Sequence, residues 1–229
     1  AAIMPLIDIA NIACGAHAGD DKTILQTLHL AKEHNKFVSV HIGYDDKENF
    51  GRKSINYTTD NFSQVISQQL NRLLAFSKTI QLNVQFIKPH GALYHDLANN
   101  TALASQFLSV IKSFQHQFYQ EQITLIGAAD SELFKLATNH NIITLSEAFI
   151  DRRYDLQGKL LPRSHSNALI SDKIEACKQA LSIAQHGVVT SHCGQQLALS
   201  AKTLCLHGDS QQALHIATAV SAALNELYR

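Results

Sequence analysis

Short apolar runs alternate with amphipathic stretches along almost the whole of this 229-residue chain, and that alternation limits its fold more than any other feature. Leu6 to Cys14, Phe37 to Ile42, Val84 to Ile87, Ile123 to Ile126, Ile142 to Leu145, Val188 to Thr190 and Thr203 to Leu206 read as strands. Between them, apolar residues recur at helical spacing. Ile24, Leu25, Leu28 and Ala31 form one stripe; Phe62, Val65, Ile66, Leu70, Leu73 and Leu74 form a second. Leu103, Phe107, Val110, Ile111, Phe114 and Phe118 are expected on one face of a third helix, followed by a short helix over Glu132–Asn139. Ile174, Cys177, Leu181 and Ala184, then Leu214, Ala217, Val220, Leu224 and Leu227, mark the last two. Strands that alternate with helices build a parallel sheet wrapped by those helices. About seven strand-like runs suit either a β/α barrel or a doubly wound sheet. With no GxGxxG and no phosphate-binding P-loop, the open nucleotide-binding sheet loses ground. No linker, repeat or low-complexity segment interrupts the pattern, so a single domain over residues 1–229 is expected.

Composition removes several function classes. Lys and Arg total 19 and so do Asp and Glu, which leaves no electrostatic footprint for nucleic acid or an acidic membrane. No apolar run reaches the length of a membrane span and no signal peptide opens the sequence. Cys14, Cys177, Cys193 and Cys205 include no CxxC pair and read as reduced thiols in a cytoplasmic protein, Cys14 and Cys205 as small core residues.

The polar residues that break the apolar pattern do so at one place in each unit, just after a strand. His17 and Asp20 follow the first strand, His41 ends the second, and Lys88 and His90 follow the third, where Pro89 is expected to end the ladder. Asp130, then Glu147 with Asp151 and Arg152, then His192, and finally His207 with Asp209 follow the later strands. In a β/α barrel all of these positions lie on the rim where active sites are built. Singly, each has a plainer explanation. A loop histidine is usually surface, Asp20, Asp130 and Asp209 could be helix caps, and Asp151-Arg152-Arg153 could be a surface ion-pair cluster.

The chemistry of these groups suits hydrolysis of a small anionic substrate. Lys88 is a fixed charge able to stabilise an oxyanion or a phosphoryl oxygen. Glu147 and Asp151 are candidate general bases, and Arg152 and Arg163 could clamp a carboxylate or phosphate. Histidines could shuttle a proton near neutral pH. His17, His41, His90 and His207 could also converge on a metal, although no HExxH-like spacing supports it; the metal is unknown and no tightly bound cofactor is evident.

Ala10 to Asp20, Asn49-Phe50-Gly51-Arg52, Lys88 to Tyr94, Glu147 to Arg152, Leu161-Pro162-Arg163-Ser164 and Cys205 to Asp209 together resemble the LamB/YcsF family, in family order over nearly the whole chain. The resemblance implies a seven-stranded β/α barrel of the glycoside hydrolase/deacetylase superfamily. It also implies opening of the lactam of 5-oxo-L-proline to L-glutamate, coupled to hydrolysis of ATP with Mg2+ and shared with 5-oxoprolinase subunits B and C. On that basis Lys88, His90, Glu147, Asp151, His17 and His41 are expected to be catalytic. Asn11, Arg52, Tyr94, Arg152, Arg163, His207 and Asp209 are expected to contact substrate. The family's usual opening strand, Asp-Leu-Asn-Ala-Asp-x-Gly-Glu, is not present; this sequence starts at Ala1-Ala2-Ile3-Met4-Pro5, so the first barrel strand and its acidic residues are expected to be missing. Ile42 also stands where the family commonly has proline after the histidine. Two alternatives are a metal-dependent deacetylase or amidohydrolase on the same barrel, and a non-catalytic subunit that binds partners.

Overall fold

The computed structural model describes residues 1–228, which form two compact units. The first runs from Asp8 to Leu145, together with Ala1; the second comprises Ala2–Ile7 and the chain from Ser146 onward.

In the first unit, β1 (Ile9–Ala13), β2 (Phe37–Ile42), β3 (Phe86–Pro89) and β4 (Thr124–Gly127) are neighbours in chain order. The pairs β1–β2, β2–β3 and β3–β4 are all parallel. The helices are α1 (Asp21–Glu33), α2 (Thr59–Thr79), α3 (Gly91–Asn99), α4 (Thr101–Ser113) and α5 (Glu132–Asn139), and β5 (Ile143–Phe149) begins at the unit's end. Because side chains alternate along a strand, the register sorts this sheet into two faces. Ile12, Val40 and Ile87 align on one, and all three are buried. Ala13, His41 and Lys88 align on the other, with Asn11 and Ser39 two residues earlier. Phe62, Ile66, Leu70 and Leu73 of α2 are at most 1 % exposed, each burial stabilising by about 1.5–3 kcal/mol.

Asp20 caps α1 by accepting from Thr23 N–H at 2.7 Å, as its position suggested. Asp130 caps nothing; Ser131 does that work for α5. The single helix expected to carry Leu103 to Phe118 is different in kind. The segment from Gly91 forms two helices divided at Asn100, whose extended backbone leaves α3 while its side chain accepts from Leu103 N–H to start α4. Phe114 caps α4 and Phe118 lies beyond it, buried in a short 3-10 region.

In the second unit the rest of β5 pairs in parallel with β8 (Thr203–Cys205), in the register Glu147 with Thr203 and Phe149 with Cys205. β5 extends further than expected and takes Glu147 into the strand itself. α6 (Lys173–His186) and α7 (Ala213–Leu227) pack on a core of Ile150, Ile170, Ala176, Ala180, Ile216 and Val220. The sixth strand-like run forms β6 (Val188–Thr190), but it pairs antiparallel with β7 (Gln196–Ala198) in a hairpin, outside the parallel sheet. Gln195 N–H reaches the Ser191 hydroxyl and Ser191 N–H the Gln195 carbonyl, which closes that hairpin locally. The chain is therefore a mostly parallel α/β fold of the β/α-barrel type, with β1 to β5 and β8 as its sheet strands among the described residues. No helix among them is long and apolar enough to cross a membrane.

Candidate functional site

In the first unit, three imidazoles come together through local backbone geometry. After β1 the chain turns sharply, with Gly15 at φ +94° and its N–H donating to Ala18 O at 2.8 Å, and this turn places His17 inside the protein at 2 % exposure. His41 lies on β2 directly opposite Lys88 of β3. β3 runs past Ile87 and takes in Lys88, ending at Pro89, and His90 N–H donates to Ile42 O at 2.7 Å just beyond it. His90 then forms the N-cap of α3. Phe50 and Gly51, both at positive φ, fold the β2–α2 loop over these rings.

The rings are tied into a chain. His41 Nδ1 meets Lys88 O at 2.9 Å, His41 Nε2 meets His90 Nδ1 at 3.1 Å, and His90 Nε2 meets Phe50 O at 2.8 Å. His17 stacks on His90 with centroids 4.0 Å apart and planes inclined by 7°. Burial, then the His90 and Arg52 charges, lower the His17 pKa to about 3. Burial followed by His90, Lys88 and His17 holds His41 well below the usual imidazole value. Neither ring is suited to shuttling protons near neutral pH. His17 Nδ1 is buried with no hydrogen-bond partner among the described residues. Lys88 is 4 % exposed, and burial pushes the nearby Cys14 thiol up to about 12, which makes it inert.

The second unit carries a different arrangement. Asp151, 5 % exposed, accepts from His207 N–H at 3.0 Å, and His207 Nδ1 lies 3.0 Å from both of its carboxylate oxygens. Phe149 stacks on the same imidazole at 5.4 Å. The carboxylate fixes the ring with Nδ1 protonated and leaves Nε2 to accept a proton. His207, expected to contact substrate, is thus held through its backbone N–H and its ring by Asp151, expected to be catalytic. Tyr154 pins the end of β5 by accepting from Phe149 N–H at 2.7 Å, and Gln179 Nε2 donates to Phe149 O and Arg152 O.

The remaining expected residues are distributed as follows. Arg152 is not on a solvated cluster: it is 4 % exposed and donates to Leu161 O at 2.5 Å and Ala168 O at 3.4 Å, bracing the segment after β5. Glu147 is buried in β5. Arg52 is exposed, with its guanidinium 4.8 Å from the Phe50 ring centre. Asn11 is exposed on β1, Tyr94 and Arg163 are half-buried, and Asp209 is exposed beyond β8 without capping α7. Sequence reading missed two contributors. Gln69, buried in α2, donates to Gly43 O at 2.9 Å and accepts from Gly43 N–H at 3.0 Å, holding the turn after β2. Only its place on the apolar stripe of α2 hinted at burial. The other is the Phe50 carbonyl, a backbone group with no sequence signal.

His17, His41 and His90 bring nitrogens within 4.8 Å of one another, which invites a metal. The ring geometry does not fit one. An imidazole lone pair lies in its ring plane, and a zinc–nitrogen bond is about 2.0–2.1 Å. Rings stacked 4.0 Å apart and nearly parallel leave no point at that distance near both planes. Both nitrogens of His41 and both of His90 are also already engaged.

Comparison with known proteins agrees with this architecture. The LamB/YcsF family model matches residues 1–228. The chain is 39 % identical over 212 residues to the A subunit of 5-oxoprolinase from Staphylococcus aureus strain JH9, covering 93 % of this chain and 83 % of that protein. It matches that of strain Newman equally. The crystal structure of a lactam utilization protein from Thermus thermophilus superposes with a TM-score of 0.89 at 32 % identity, covering 99 % of this chain and 89 % of the other. By sequence and by fold, the chain belongs to the LamB/YcsF family.

Proposed function

We propose that the chain acts as the A-type component of an ATP-dependent 5-oxoprolinase, opening the lactam of 5-oxo-L-proline to L-glutamate. In this reading it works with partner subunits B and C and with ATP–Mg2+ as co-substrate. The names of its relatives, the A subunit of 5-oxoprolinase and a lactam utilization protein, support the hydrolase assignment.

The observation that carries the reading is Lys88, an ammonium 4 % exposed near the carboxyl end of β3 in a chain of this family. A five-membered lactam is an unactivated amide. Transfer of the terminal phosphoryl group of ATP to its oxygen, with ADP leaving, turns the carbonyl carbon into a better electrophile. Water then adds at that carbon, its proton is removed by a base, and the C–N bond breaks with the nitrogen taking a proton, leaving an acyl phosphate. A second water hydrolyses this to the carboxylate and releases phosphate. Lys88 stabilises negative charge on the oxygen, and a fixed cation at low dielectric does so far more strongly than one in water. In the second unit the His207–Asp151 pair is the group best built to take a proton, because its carboxylate stabilises the imidazolium that forms.

The test is release of glutamate from 5-oxoproline by the chain reconstituted with its partner subunits and ATP–Mg2+. Turnover is expected only with the partners present. Robust turnover by this chain alone, or none by the full assembly, would count against the reading. The deacetylase alternative predicts a stoichiometric divalent ion in the purified protein, and the stacked rings argue against their holding it.

A further inference from the structure

His17 is 2 % exposed, and its Nδ1 meets no hydrogen-bond partner among the described residues. A hydrogen bond at one ring nitrogen commonly sets an imidazole's tautomer and aim. Here packing has to do so, and much of that packing is backbone. A Cβ at Gly43 would stand 2.6 Å from His17 Nδ1 and 3.0 Å from its Cγ, and one at Gly51 would stand 2.8 Å from His17 Cβ. His90 covers the face of the ring at 4.0 Å. The aim of His17 therefore depends on what fixes Gly43 and on what fixes the turn from which His17 springs. Both lead to α2. We propose that Gln69 and Arg72, three residues apart on that helix, are positioning residues for His17, holding its ring on His90 through the backbone of Gly43 and Gly15.

Gln69 is 3 % exposed, and its carboxamide pairs with Gly43 as a neighbouring strand would, accepting from Gly43 N–H at 3.0 Å and donating to Gly43 O at 2.9 Å. The same Nε2 also donates to Val65 O at 3.1 Å, one turn back on α2, which fixes the orientation of the amide itself. Gly43 directly follows β2 and is buried, so without Gln69 its N–H and C=O would lose these partners. Arg72 acts on the other side of the ring. Its guanidinium lies over Gly15, where a Cβ would collide with it, and Nη1 donates to Cys14 O at 3.4 Å. Its Nε donates to Asp21 Oδ1 at 2.7 Å, so this one side chain ties the end of the β1 turn to the first residue of α1. His17 lies between those two attachments. Residues three apart share a helix face. One face of α2 thus braces both the turn that carries His17 and the backbone against which the ring leans. A role in stability alone would leave the ring in place once the chain has folded, whereas a positioning role would not.

The functional part of the inference rests on the lactam reading, in which His17 belongs to the site, but its structural part is tested without turnover. NMR on the full chain with isotope-labelled histidine follows the cross-peak between the His17 and His90 rings and the ring shifts of each. Gln69→Met keeps the bulk and loses both bonds to Gly43. In that variant the cross-peak should weaken and the His17 signals should move toward those of an unstacked ring, while His207 in the second unit stays unchanged. Arg72→Lys keeps the charge at a half-buried position and loses the flat contact over Gly15. It should act in the same direction but less strongly, and it decides if Gln69→Met fails to fold. Native His17 signals in the variants that fold would overturn the proposal. In the assembly with partner subunits and ATP–Mg2+, Gln69→Met should lose about 10²-fold in kcat with little change in KM, the loss expected from a misplacement of about 1 Å. A displaced ring with unchanged kcat would overturn the positioning role. An assembly in which the wild-type chain releases no glutamate would instead overturn the lactam reading, and the spectra would still decide whether α2 aims the ring.

Discussion

The two polar clusters handle imidazoles in opposite ways. In the first unit the rings of His41 and His90 hydrogen-bond to each other and to backbone carbonyls, and His17 stacks beside them. In the second, His207 rests on the Asp151 carboxylate and keeps part of its side chain open to solvent. Carbonyl acceptors fix where protons sit without offering a charge to balance them. A carboxylate does offer that charge, so it prepares the ring to gain and lose a proton. The comparison teaches that histidine count alone says little about acid–base chemistry; the acceptor at the far nitrogen decides the role.

The largest effect that would sharpen this contrast is at Lys88. Lys88→Ala should abolish glutamate release in the reconstituted system, by at least about 10³-fold, while circular dichroism stays native. Unchanged turnover would remove the first unit's claim to the charge-stabilising role. Next comes Asp151→Asn, which keeps the shape but loses the charge that supports imidazolium. A fall of about 10²-fold in kcat, with little change in KM, is expected. Equal activity in a full pH–rate profile would mean that His207 is not the base.

Smaller effects concern the scaffold. A side chain at Gly91, where φ is +56°, would place its Cβ 2.4 Å from the Gly51 carbonyl oxygen. Gly91→Ala should lower the unfolding free energy by about 2–3 kcal/mol in a denaturant titration and loosen the rings above it. An apparent gain in stability would contradict the contact. The pH dependence follows from the sign of the His17 shift. Its folded-state pKa, lowered to about 3, lies below that of the unfolded chain, so the unfolded state binds more protons between these values. Stability from this residue is fully present above about pH 6.5 and declines as pH falls toward 3, by up to about 1.4 kcal/mol per unit. His17→Gln should flatten the dependence measured by denaturant titration between pH 7 and 5, and parallel curves would refute it. The smallest effect is expected at the Arg153–Glu175 ion pair, whose side chains are 30 % and 40 % exposed. Glu175→Gln should cost less than about 1 kcal/mol in the same assay.

Much of the fold was legible because the physics behind it is local. Phe37 to Ile42 shows the spacing of a strand and is one, and the α2 stripe from Phe62 to Leu74 is a buried helix face. Asn100 shows where locality misleads: apolar spacing carries no sign that an asparagine ends one helix and starts another. Val188 to Thr190 reads as a sheet strand, but its partner β7 is too short and polar to recognise beforehand. At the site, residue types clustered after strands marked His17, His41, Lys88 and His90 correctly as neighbours in the first unit. What each histidine does depends on partners such as the Phe50 carbonyl, which every residue possesses and no sequence pattern reveals. Arg152 illustrates the same limit: an arginine read as a clamp for anions braces two carbonyls of its own chain.

The close approach of Gly51 and Gly91 has a consequence for how such a chain can change over time. Ala92 N–H donates to Gly51 O at 2.9 Å, and the space a methyl group at Gly91 would need is occupied by that same oxygen. The obstacle is backbone, so no second substitution can shrink it and restore the fit. Most buried positions drift in compensating pairs, one side chain growing as its neighbour recedes. Here that route is closed, and the loop that carries Phe50 over the rings is bound to glycine at position 91 for as long as it keeps its present path.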